Sequence, residues 1–119
     1  MGLLKLVKAL SITVDDLERQ RLTDRFAPGA FDATPIIDIP ARTRTKIVGE
    51  ASSMRVVPHH ESPWLEVTVD DGTGSVLAIF TGRRRIRGME PGRALMLEGI
   101  ARQERNRVVL LNPAYTLLP

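Results

Sequence analysis

Cysteine is absent from this chain, which excludes disulfides and every zinc site built on thiolates. Aromatic residues are few: three Phe, one Tyr and one Trp, 4% of the sequence. No stretch approaches the roughly 18 uninterrupted apolar residues that a membrane span needs, so no membrane partner is expected. The apolar start, Met1 to Leu10, is interrupted by Lys5 and Lys8, and no small-residue cleavage site closes it before Asp15 and Asp16. A secretory leader is therefore not expected, and the expected location is the cytoplasm. Also missing are a P-loop, an H-E-x-x-H pair and a serine set in a nucleophile elbow. Neither catalysis nor a cofactor is expected.

The 119 residues suffice for one domain, with 43% hydrophobic and 26% charged side chains, ordinary values for a globular protein. The net charge of +3 is unevenly spread. Through Ala41, five basic residues face six acidic ones; from Arg42 onward, twelve face eight, and eleven of those twelve are arginine. Arginine suits phosphate, because its planar fork donates two parallel hydrogen bonds and stacks on flat rings. A basic second half thus points toward polyanions.

Two regions follow from the change in hydrophobic period. Leu3, Leu6, Val7 and Leu10 recur at helical spacing. Ser11 or Thr13 would cap a second helical stretch from Val14, with Asp15, Asp16 and Glu18 in its first turn and a ragged stripe of Val14, Leu17, Leu22 and Phe26. Ala27-Pro28-Gly29 ends it, and the proline-bearing segment to Pro40 reads as a connector. Residues 1–40 are therefore expected to be a helical extension, and 41–119 a β domain. There, Thr45 to Val57 forms a long strand with a bend or bulge at Gly49. Trp64 to Asp70 alternates with period two, burying Leu65, Val67 and Val69. Asp71-Gly72-Thr73-Gly74 turns the chain into a nearly all-apolar strand, Ser75 to Phe80. A fourth strand is expected from Arg93 to Arg102 and a fifth from Arg107 to Leu111, with Asn112-Pro113 ending the ladder and Ala114 to Pro119 left as a tail.

Three motifs carry a family resemblance. Val48-Gly49-Glu50-Ala51, then Val69-Asp70-Asp71-Gly72-Thr73-Gly74-Ser75-Val76, then Pro91-Gly92-Arg93-Ala94-Leu95-Met96-Leu97-Glu98-Gly99 resemble the first strand, the hairpin and the fourth strand of tRNA-anticodon-binding-type OB domains. With the Gly82-Arg83-Arg84-Arg85-Ile86 segment, the chain is similar to the small stand-alone OB-fold nucleic acid binding domain proteins of actinobacteria. The resemblance covers about Arg42 to Leu118. It implies a mainly β, five-stranded OB-fold barrel behind an N-terminal helical extension, binding single-stranded DNA or RNA. OB ligands cross the outer face of strands two and three, between the one–two and four–five loops.

On that expectation the candidate nucleic-acid-binding residues are these. Trp64 and Thr68 lie outward on strand two, with Trp64 either stacking on a base, covering the barrel end or packing on the N-terminal helix. Phe80 stands at the exit of strand three. Arg83, Arg84, Arg85 and Arg87 form the densest charge in the chain, and Arg102, Arg105 and Arg107 bracket the last hairpin. Arg44 and Lys46 share a face at the start of strand one, and His60 lies in the first inter-strand loop. His59 and His60 would point apart on extended backbone, with no third ligand at tetrahedral spacing, so no metal is expected. Strand three is apolar on both faces, leaving one to be covered by the N-terminal helices or a second copy. A protein partner or homo-oligomer, engaged through the OB face and the helical N-terminus, is the alternative to nucleic acid.

Overall fold

Six strands occupy most of the chain after Thr43 in the computed structural model, which describes residues 3–27 and 31–119, and the side chains of 13–27 and 31–119. They are β1 (Arg44–His59), β2 (Ser62–Asp70), β3 (Ser75–Thr81), β4 (Ala94–Glu104), β5 (Arg107–Leu111) and β6 (Ala114–Leu117). Among the described residues one α-helix, α1 (Leu3–Arg25), precedes them. The sheet closes on itself: β1 pairs with β2, β2 with β3, β3 in parallel with β5, β5 with β4, and β4 with β1 again. Closure of this kind satisfies strand edges that an open sheet would leave bare.

β1 serves both sides of the ring. Arg44 to Glu50 pair with β4, and Glu50 to His59 pair with β2, so the strand changes partner at Glu50. The irregularity in its register falls between Ala51 and Ser53, not at Gly49 as the glycine suggested. Gly49 is needed for a different reason: a Cβ there would lie 2.8 Å from Val69 Cγ1 and 2.9 Å from the Asp70 carbonyl oxygen. The extra residue, Ser52, also shifts the alternation. Val48 and Glu50 face outward before it, and Ser53, Arg55 and Val57 after it.

Inside the ring, Ile47, Leu65, Val67, Val69, Val76, Phe80, Leu95, Leu97 and Leu110 are almost fully buried. The connector plugs the end nearest the β2–β3 turn. Its Ile36, in a single 3-10 turn (Ile36–Asp38), belongs to the core, and its Thr34 N–H donates to the Lys46 carbonyl. Asp71 ties the plug down, its carboxylate accepting from Ile36 N, Thr73 N, Thr73 Oγ1 and Gly74 N at 2.6–3.2 Å. Ile86 and Met89, from the β3–β4 loop, are buried in the same core.

Two helical stretches were expected, but α1 is continuous, because Ser11-Ile12-Thr13 contains neither glycine nor proline to interrupt it. The stripe at Leu3, Leu6, Val7 and Leu10 falls outside the described side chains. Of the later apolar residues, Leu22 and Phe26 are buried against Val48 and Ala94, whereas Val14 and Leu17 are exposed. Arg21 and Arg25 both bond Glu50, and Glu18 pairs with Arg21 at 2.6 Å. The Arg21 hydrogen bonds, reinforced by Arg25, hold the Glu50 carboxyl below the usual carboxylate range; Glu18 is lowered chiefly by Arg21. Gly72, at φ 91°, lets the β2–β3 turn touch the helix backbone, where a Cβ would sit 2.7 Å from Thr23 N. The part of the helix with described side chains therefore packs over β1, β4 and the β2–β3 turn.

The tail differs too. Asn112 takes φ 47° and redirects the chain at Pro113, and β6 then resumes pairing with Leu95–Glu98 of β4. Proline ends one ladder here without preventing another, since the chain restarts one residue later.

Candidate nucleic-acid interface

The outer face of β1, β2, β3 and β5 can be read off the register in three rows. Val57, Trp64 and Thr81 form the first, next to the β1–β2 turn. Arg55, Glu66, Ile79 and Leu111 form the second. Ser53, Thr68, Leu77, Val109 and Arg102 form the third, next to the β4–β5 turn. Leu77, Ile79 and Val109 make an apolar floor at 7%, 6% and 2% exposure, with the Trp64 indole packed against it. Thus the second apolar face of β3 is covered from within the barrel wall, and none of the described α1 side chains joins it.

Rings stand at one end of this face. The imidazole of His59 lies on the indole of Trp64, 3.8 Å between centroids and 18° from parallel. His60 adds an edge contact to His59 at 4.4 Å and 90°. The two histidines do not point apart, because His60 sits at the turn with φ 49° rather than in extended backbone. His59 is thus a face residue that sequence alternation alone did not reveal. Its signal was position, five residues before a proline-preceded tryptophan and directly before the two-residue turn His60-Glu61.

Charge stands at the other end. Arg102 pairs with Glu104 at 3.1 Å, whereas exposed Arg105 and Arg107 have no acidic partner among the described residues. Arg105 forms the hairpin tip at φ 54°, a left-handed conformation that favours glycine or asparagine. Across the face, Arg55, which sequence reading missed, bonds Glu66 at 2.9 Å. A groove runs between Arg55 and Arg107 over Thr68 and Leu77.

Three expected residues lie elsewhere. Phe80 is 3% exposed and points into the core, edge-on to Tyr115, because it shares parity with Val76 and Ala78. Arg44, paired with Glu98 at 3.1 Å, and Lys46 stand on the β1–β4 face. The shift at Ser52 and the change of partner at Glu50 separate that half of β1 from Trp64. Arg83, Arg84, Arg85 and Arg87 are all exposed on the β3–β4 loop, and none has an acidic partner among the described residues. Among the described residues, no group of three or more His, Asp or Glu side chains could hold a metal ion. No helix among the described residues is long and apolar enough to cross a membrane.

A ring closed in the order β1-β2-β3-β5-β4-β1, with a long bent first strand, is an OB-fold barrel. The fold is similar to that of a chain in the crystal structure of the S. pombe Stn1-Ten1 complex, with a TM-score of 0.52 and 23% identity. The likeness covers 63% of this chain and 57% of that one, so it spans little more than half of the neighbour. No family model and no curated protein matches the sequence.

Proposed function

We propose that this protein binds single-stranded DNA or RNA across the outer face of β2, β3 and β5, without catalysis. The observation that carries the reading is the juxtaposition on one face: a stacked His59–Trp64 pair at one end, and at the other Arg105 and Arg107, without an acidic partner among the described residues. Flat rings offer a surface to any base, at ~1–3 kcal/mol each, and arginines neutralise phosphates without reading sequence. With a single ring platform, binding is charge-driven and tolerant of sequence. The OB-fold uses this face and these loops for oligonucleotides. Trp64 is the only tryptophan, so its emission reports on the site alone. Adding a single-stranded oligonucleotide at low salt should quench that emission saturably; unchanged emission with no retention of the oligonucleotide would refute the reading.

A second reading draws on the floor of the same groove. Leu77, Ile79 and Val109 are apolar, and Leu111 beside Ile79 is 44% exposed. Such a face also suits a protein partner or a second copy, and the similar chain comes from a complex of two proteins. Sedimentation across a range of concentrations separates self-association from a monomer that binds nucleic acid.

A further inference from the structure

Acidic partners are unevenly distributed over the arginines. Arg21, Arg25, Arg44, Arg55 and Arg102 each pair with a glutamate. Arg83, Arg84, Arg85 and Arg87 have none among the described residues, although they crowd one short loop where mutual repulsion disfavours them. That loop is not a loose excursion. It starts from Thr81, the cross-strand partner of Trp64, whose N–H donates to Asn112 Oδ1 at 3.0 Å. Gly82 N–H then donates to the Pro63 carbonyl at 2.8 Å, and Ile86 and Met89, at 4% and 3% exposure, are anchored in the core. The three consecutive arginines are thus held at the surface between two fixed points. Their start lies two residues from the cross-strand partner of the indole.

From this placement we infer that a bound strand does not end at Trp64 but runs off the groove, past the ring pair, onto Arg83–Arg85. The site is bipartite: a short groove segment between Trp64 and Arg107, and a phosphate-only segment on the β3–β4 loop. This inference rests on the groove binding proposed above and extends its course. The face, seven β2 residues long from Trp64 to Asp70, measures ~20 Å. A ligand of about four nucleotides fills it, and the arginine loop engages only what protrudes. Three successive residues span ~7–10 Å, enough to meet two or three phosphates.

The test uses the full chain and two oligothymidylates, of about four and about twelve nucleotides, within the range of a single OB barrel. Arg83, Arg84 and Arg85 are changed together to alanine, and in a second variant to lysine. For the long oligonucleotide, the alanine variant should lose affinity on the order of tenfold at low salt. Its slope of log K against log salt should fall by up to ~2, at ~0.7 per phosphate contact. The short oligonucleotide should bind both proteins alike, and the lysine variant should keep most of the slope. Equal losses for both lengths would overturn the inference by making the loop part of the groove. No loss for either would overturn it by leaving the loop merely solvated. Failure of the unaltered protein to bind either length would remove the groove reading itself, and this inference with it.

Discussion

The His59 imidazole occupies one face of the Trp64 indole at 3.8 Å, the position a stacked nucleobase would take. A base therefore either adds to this pair from outside or replaces the imidazole. If the base adds to the pair, His59→Ala should weaken binding several-fold, and if the base displaces His59, the same change should tighten it. Trp64→Ala should weaken binding in both cases, by about tenfold for a stacking worth ~1–3 kcal/mol, even where salt has suppressed the phosphate contacts. Trp64→Phe should keep more of the binding than Trp64→Leu, since a phenyl ring still offers a flat face. Fluorescence anisotropy of a labelled oligonucleotide reads the whole series.

Glu50 is the anchor of α1. Its side chain is 13% exposed and bonded by two arginines, so Glu50→Gln should cost about 1–2 kcal/mol, read by thermal melting. The folded-state carboxyl is held below its unfolded value of about 4.3. Its contribution is therefore complete above that pH and is lost as pH falls through the depressed folded value. The unaltered protein should lose stability on acidification below about pH 4 more steeply than Glu50→Gln does.

Two glycines with similar backbone angles separate helix docking from turn strain. Gly72 (φ 91°) faces the α1 backbone, whereas nothing lies within 4 Å of a Cβ on Gly82 (φ 73°). Each alanine substitution incurs the left-handed cost of about 1–3 kcal/mol. Gly72→Ala should cost more than Gly82→Ala and should selectively increase hydrogen exchange along Arg19 to Arg25.

Arg105 holds a left-handed conformation at a hairpin tip. Arg105→Asn should leave stability unchanged or raise it by up to about 1 kcal/mol, because asparagine tolerates that conformation. It should at the same time lower the salt slope of oligonucleotide binding by about 0.7. A stability gain paired with a binding loss marks a residue kept for its charge.

Much of the barrel was legible in period-two patterns. Leu65, Val67 and Val69 alternate cleanly, and Asp71-Gly72 announces the turn that Asp71 indeed braces. What was hidden depends on geometry between segments. β3 is apolar on both faces, so parity could not say which side of it faced the groove, and Phe80, a candidate for its place at the strand exit, belongs to the core. Arg44 and Lys46 do share a face, but the irregularity at Ser52 and the change of partner at Glu50 move that face away from Trp64. β6 was masked by Pro113, which reads as a terminator unless its partner strand is known. The His59–Trp64 stack required the left-handed turn at His60, which no local pattern announces.

The most direct test of the central claim is a titration of isotope-labelled protein with a short oligothymidylate, followed in two-dimensional amide spectra. Shifts should be confined to the Trp64 indole N–H, Thr68, Ile79, Val109 and Arg105 to Arg107, while Arg19 to Arg25 and β6 stay still. Absence of shifts, or shifts gathered on the β1–β4 face around Arg44 and Lys46, would contradict that claim.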